Sequence, residues 1–254
     1  MPIPALIAHR GFAKRYPENT LVAIHEALKA GAAFVEFDIQ YTADGHPVLL
    51  HDVDLKRVAG IDKDVVDLSL SELQRIHIGR TPKARAQYPG LAIPTLADAV
   101  YLIKAFPHVR AFVEIKTETL NTFGIEQVIK TLIQVLAPIK EQCSLISHNS
   151  LAIRCARAMG LRSIGWVISH WNSEVRSMAT ELAPDYLFCN HKKIPSPSER
   201  LWPGPWRWVL YDVNKPELAI KLGERGADMI ETTDIGRMLE HPVFNQAQTQ
   251  SLAS

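Results

Sequence analysis

Eight short runs of apolar and β-branched residues recur along this chain, near residues 5, 34, 111, 144, 163, 186, 207 and 227. Most are followed by a segment whose apolar residues repeat at helical spacing. No other feature narrows the fold as much. Strands that alternate with helices pair in parallel, because the helix supplies the crossover. Eight such units predict an α/β fold of the TIM (β/α)8 barrel type. The alternative, an open doubly wound sheet, usually carries a glycine-rich phosphate loop after its first strand. Here the first strand, Ala5–Ala8, runs into His9-Arg10-Gly11 instead.

The helical segments carry their own boundaries. Pro17-Glu18-Asn19-Thr20 opens a helix with Leu21, Ile24 and Leu28 on one face, Asn19 as the expected N-cap and Gly31 as the stop. Thr95 caps a helix with Leu96, Val100 and Ile103 inward. Residues 125–136 place Ile125, Val128, Ile129, Leu132 and Leu136 on one stripe. Further helices are expected from Ser150 to Met159, over Ser173–Leu182, and from Pro216, well suited to a first turn, to about Arg225.

Two regions break the rhythm. Asp44-Gly45 marks a tight turn before an extended run, Pro47–Asp52, so a hairpin-like excursion follows the second strand. Residues 52–92 then form a small insertion, with a charged patch, the capping box Ser69-Leu70-Ser71-Glu72 and a polar loop, Arg80–Arg85. Residues 191–206 are rich in Pro and Trp and read as a rim loop in place of a regular helix. With Lys192, Lys193, Trp202 and Trp206 this loop suits either an irregular packed connection or a contact with lipid-derived substrates.

At 254 residues the chain accommodates one barrel domain over 1–244, with a polar tail, 245–254, expected to be disordered. A net charge of +1 supplies no global field for nucleic acid or an anionic membrane. The three cysteines, Cys143, Cys155 and Cys189, match neither a disulfide framework nor a zinc spacing. No run reaches the roughly 18 apolar residues of a membrane helix. The first residues lack the basic start of a signal peptide, so a soluble cytoplasmic protein without stable membrane insertion is expected.

Chemistry concentrates at the ends of the early strands. In Phe34–Gln40, Glu36 and Asp38 lie two apart among Val, Phe and Ile. In a strand they share a face, roughly 6.5 Å apart along the chain. Acids so placed are seldom buried without a positive partner, and a hard divalent cation such as Mg²⁺ or Ca²⁺ accepts oxygen donors. Glu114, on the strand Ala111–Lys116, adds a third carboxylate. His9 and Arg10 end the first strand, His51 ends the excursion, and Lys116 ends the third barrel strand. In a TIM barrel these positions converge on one mouth. The two cations suit a phosphate and the two imidazoles can move protons near neutral pH, so the set reads as phosphate-ester hydrolysis.

His9-Arg10-Gly11, Pro17-Glu18-Asn19-Thr20, Glu36-x-Asp38, His51-Asp52 and Glu114-Ile115-Lys116 resemble, in order and spacing, the signature series of the glycerophosphodiester phosphodiesterases, in particular the short bacterial members. The likeness is specific over residues 9–116 and continues more weakly to about 234, where Gly226–Thr232 resembles the family's last strand. It implies a TIM barrel that cleaves small glycerophosphodiesters to sn-glycerol 3-phosphate and an alcohol. It also implies one divalent cation, Mg²⁺ or Ca²⁺, on Glu36, Asp38 and Glu114, His9 and His51 as the acid–base pair, and Arg10 and Lys116 on the phosphate. Attack by a glycerol hydroxyl through a cyclic phosphate and attack by water both remain open, and so does which histidine is the base. A lysophospholipid-directed enzyme and a non-catalytic phosphodiester-binding barrel are the competing readings. The chain departs from the family pattern at Arg57-Val58-Ala59, Ser147-His148 and Tyr211-Asp212-Val213-Asn214, all on the expected leaving-group side.

Overall fold

The computed structural model describes residues 3–79, 86–196 and 199–245. Arg80–Arg85 and the tail beyond Asn245 therefore lie outside the described residues. Nine strands form one sheet: β1 (Ala5–His9), β2 (Phe34–Tyr41), β3 (Pro47–Leu49), β4 (Arg110–Ile115), β5 (Cys143–Ser147), β6 (Ile164–Ile168), β7 (Tyr186–Asn190), β8 (Arg207–Tyr211) and β9 (Met229–Thr232). The order is β1-β9-β8-β7-β6-β5-β4-β2-β3, and pairing of β1 with β2 closes it. All neighbours are parallel except β2 and β3. The result is an eight-stranded parallel barrel with β3 added antiparallel to the end of β2, as the hairpin-like excursion required.

Parallel strands in such a barrel are buried on both faces. Their inward residues, Ile7, Phe112, Ile146, Val167, Phe188, Val209 and Met229 among them, fill the barrel interior. Their outward residues pack under the helices in a larger apolar layer that includes Val35, Phe37, Val113 and Leu145. The helices the sequence predicts form, and Thr117–Phe123 is one it does not predict. Thr95 caps Leu96–Lys104 through a reciprocal bond with Asp98, and Ile125–Leu136 and Ser173–Leu182 match their expected bounds.

The first helix, Leu21–Lys29, differs in its cap. Thr20 accepts the N–H of Ala23, and Asn19 takes a left-handed φ of +54° instead. The backbone has already bent into that region at Arg10 (φ +56°) and Gly11 (φ +76°). A Cβ on Gly11 would lie 2.5 Å from the carbonyl carbon of Ala23, so only glycine lets the first loop pass this close to the helix.

The insertion after β2 has its own apolar cluster, built from Val48, Leu50, Leu55, Val65, Leu73 and Ile93. Among the described residues it includes the short helices Lys56–Ala59 and Leu70–Leu73; Ser69 and Glu72 close the second with a capping box. In the 191–206 segment Trp202 and Trp206 are 7% and 6% exposed. Trp202 stacks on Trp171 with ring centroids 4.0 Å apart, and the indole N–H of Trp208 donates to the Trp202 carbonyl at 2.8 Å. This is the packed connection, with its tryptophans turned inward. The three cysteines are free, and burial pushes Cys143 up to about 11 and Cys189 up to about 12. Among the described residues no helix is long and apolar enough to cross a membrane.

Candidate active site

Strand register assembles the acidic group. Asp38 of β2 is level with Glu114 of β4, and Glu36 is level with His9 of β1. One carboxylate oxygen from each of Glu36, Asp38 and Glu114 falls within a 4.8 Å group. Glu36 and Asp38 are each only 1% exposed. Three acids this close and this dry repel unless cations intervene. Arg10 Nε lies 3.1 Å from Asp38, and Lys116 Nζ lies 2.5 Å from Asp38 and 2.6 Å from Glu114. Asn19 completes the cradle of Asp38: its amide donates to Oδ2 at 2.8 Å, and its carbonyl accepts the Asp38 backbone N–H at 3.1 Å.

The acids respond differently. Burial alone would raise Asp38, but Lys116 and Arg10 outweigh it and hold the group well below the usual carboxylate range. Glu36 is pushed up by burial and then by the charges of Asp38, Glu231 and Glu114. Its Oε2 accepts the Arg10 N–H at 3.1 Å, whereas its buried Oε1 accepts no hydrogen bond among the described residues. Three hard oxygen donors, one of them buried and unsatisfied, suit a divalent cation of the Mg²⁺ or Ca²⁺ type. Their excess of negative charge supplies a further reason for one to bind.

The two histidines stand in contrasting settings. His9 Nε2 is 3.7 Å from Glu36 and its Nδ1 is 3.9 Å from Asp212. Burial, and then the charge of Arg10, lower His9 to about 4, so the ring is neutral near pH 7. His51 is a third exposed, and its Nδ1 pairs with Asp52 at 2.6 Å. Asp52 in turn accepts from Arg57 Nε at 2.6 Å. The guanidinium of Arg57 is bidentate on Glu18, at 2.7 and 2.9 Å, and Glu18 also accepts from Arg10 at 2.9 Å. A continuous charge-assisted chain thus runs from His51 through Asp52, Arg57, Glu18 and Arg10 to Asp38. Arg57, at the first departure from the family pattern, is the link between the insertion and the barrel.

A cavity of about 260 Å³ opens at the carboxyl ends of the strands. His9, Arg10, His51, Glu114 and Lys116 line it, with Glu36 and Asp38 packed beside it. All seven residues singled out in the sequence therefore meet at one mouth. Four more had no role assigned from the sequence. Asn19 and Glu18 lie inside a quoted motif but had no assigned contact. His148, just past β5 and noted above only as a departure from the family pattern, and Glu231 of β9 line the cavity.

Known proteins resemble this chain in sequence and fold. A model of the glycerophosphoryl diester phosphodiesterase family matches residues 9–179. The chain is 30% identical over 237 residues to a glycerophosphodiester phosphodiesterase of Caldanaerobacter subterraneus, across 90% of this chain and 93% of the relative. It is 43% identical over 94 residues to the bovine glycerophosphodiester phosphodiesterase 1, a match that spans 37% of this chain and 28% of that protein. A phosphodiesterase of Oleispira antarctica, solved with its product sn-glycerol-3-phosphate, superposes with a TM-score of 0.79 at 24% identity, over 98% of this chain and 97% of that one. The family match over most of the chain and the near full-length bacterial relative settle the grouping: this chain belongs to the glycerophosphoryl diester phosphodiesterase family, a family of phosphoric diester hydrolases.

Proposed function

We propose that this protein hydrolyses small glycerophosphodiesters to sn-glycerol 3-phosphate and an alcohol, with residues 1–244 as one catalytic domain and a single divalent cation, Mg²⁺ or Ca²⁺. The observation that carries the reading is the 4.8 Å group of Glu36, Asp38 and Glu114 beside two imidazoles on one cavity. Glu36, Asp38 and Glu114 hold the cation. When bound, it neutralises charge on the phosphoryl oxygens as a Lewis acid. Arg10 and Lys116 orient the phosphate from the same wall, since both cationic heads border the cavity.

Proton transfer divides between the histidines. His9, neutral at the working pH, takes the proton of the attacking water or glycerol hydroxyl as the new phosphorus–oxygen bond forms; after attack by the glycerol hydroxyl, water opens the cyclic phosphate to sn-glycerol 3-phosphate. His51, held by Asp52, gives a proton to the departing alkoxide as the ester bond breaks. The recess of about 440 Å³ next to His51, bordered by His148 and Ser169, receives the alcohol.

The test is a coupled assay for glycerol 3-phosphate over glycerophosphocholine, glycerophosphoethanolamine and glycerophosphoglycerol, with added Mg²⁺ or Ca²⁺ and with chelator. Release that needs the metal is expected. No release from any of the three at saturating metal would defeat the proposal.

A further inference from the structure

Glu231 is a buried acid that neither the cation group nor the proton transfers use. It sits on β9 opposite Ile7, two residues beyond Met229, so its side chain faces the barrel interior. It is 3% exposed, and its Oε1 has no hydrogen-bond partner among the described residues. Arg10 is engaged with Asp38 and Glu18, and Lys116 with Asp38 and Glu114; Lys193 also lines the mouth, and no ion pair joins it to Glu231 among the described residues. Glu231 also lies outside the 4.8 Å group of the three ligand carboxylates. A buried acceptor without a donor is costly to the fold. It persists where something that enters the cavity supplies the missing donor.

The cavity defines that donor. Its lining includes Arg10 and Lys116, which suit the phosphate, and also Glu231 and the apolar surfaces of Val167 and Phe188. An anion has no place against Glu231. A short carbon chain that rests on Val167 and Phe188 and carries a hydroxyl satisfies both surfaces.

We propose that Glu231 is a specificity-determining residue that accepts a hydrogen bond from a hydroxyl of the glycerol unit, while the phosphate lies toward Arg10 and Lys116. The assignment rests on the glycerophosphodiester reading above. It adds that recognition of the polyol comes from β9. Losing such a bond and leaving the buried acceptor unpaired again is worth about 10- to 100-fold in affinity.

The experiment measures binding, so it does not depend on turnover. Calorimetry compares sn-glycerol 3-phosphate with its two deoxy analogues, 1,2-propanediol 1-phosphate and 3-hydroxypropyl phosphate, in the metal-loaded wild type, Glu231→Leu and Glu231→Gln. The wild type should bind glycerol 3-phosphate about 10- to 100-fold more tightly than at least one analogue. Glu231→Leu should erase that gap and leave the affinity for that analogue intact. Glu231→Gln, whose amide oxygen still accepts, should keep part of it and guards against a folding defect in the leucine variant. Three results overturn the assignment: a gap unchanged in both variants, an equal loss for all three ligands, or a fall of tenfold or more in cation affinity, which would make Glu231 a metal ligand. Tight, discriminating binding without turnover would instead defeat the hydrolytic reading and leave this one standing.

Discussion

Asn19 offers a sharp test of how the site is held. It is 3% exposed, and its two bonds to Asp38 fix the most central of the three carboxylates. Removing the amide costs about 1.5–3 kcal/mol for the bond to a charged oxygen and about 1–3 kcal/mol for the buried Asp38 N–H left unpaired. Arg10 and Lys116 remain on Asp38, so the low halves of both ranges apply, about 3 kcal/mol together. The left-handed backbone at Asn19 adds about 1 kcal/mol for alanine, which glycine avoids. Asn19→Gly should therefore lose about 3 kcal/mol and Asn19→Ala about 4 kcal/mol. At about 2–4 °C per kcal/mol for a chain of this size, the melting temperature should fall by roughly 6–12 °C and 8–16 °C. Scanning calorimetry in chelator reads this, and a cation titration of the folded variants should show affinity roughly 10- to 100-fold weaker. Melting at the wild-type temperature would refute the buried-bond argument. Equal losses for glycine and alanine would refute the backbone part, and intact cation affinity would refute the positioning role.

Other expectations follow from the same geometry. His9→Ala and His51→Ala should each lower the turnover rate by on the order of 10²–10⁴ in the coupled assay, and unchanged rates in both would rule out acid–base roles. Glu36→Ala should weaken Mg²⁺ or Ca²⁺ binding in calorimetry; equal affinity would remove it from the ligand set. Arg57→Ala, which cuts the chain from Glu18 to Asp52, should lower kcat roughly 10- to 100-fold through misplacement of His51 while cation affinity holds. Burial raises Glu231 in the folded protein, and its neighbouring carboxylates raise it further. Its contribution is thus full below the unfolded carboxyl pKa and is lost as pH rises through the raised folded value. In chelator, Glu231→Gln should gain melting temperature over the wild type between about pH 5 and about pH 8; a gain that shrinks over that interval contradicts this.

The sequence displays short-range physics clearly and long-range partners poorly. Thr95 and Ser69 announced their caps because the responding acids, Asp98 and Glu72, lie three residues on. Glu36 and Asp38 declared a shared face because strand periodicity is two. Asn19 was misread as the cap because Asn and Thr both favour that position. Only the contact with Asp38, 19 residues away, decides that Thr20 caps and Asn19 turns inward. Glu231 stayed hidden because a strand buried on both sides shows no polar alternation from which to read its inner face. Arg57 looked like the remnant of a pattern, since its partner Glu18 is 39 residues upstream.

The barrel and the insertion have separate apolar interiors, and the site draws on both. The carboxylates and His9 belong to the barrel staves, whereas the His51–Asp52 turn leads into the smaller body that follows β3. Cooperative opening of that body would carry off one imidazole and leave the acidic cradle standing. Catalysis in this architecture thus inherits the stability of its weaker half, and a lineage could retune turnover by loosening or tightening the appendage without touching a single ligand.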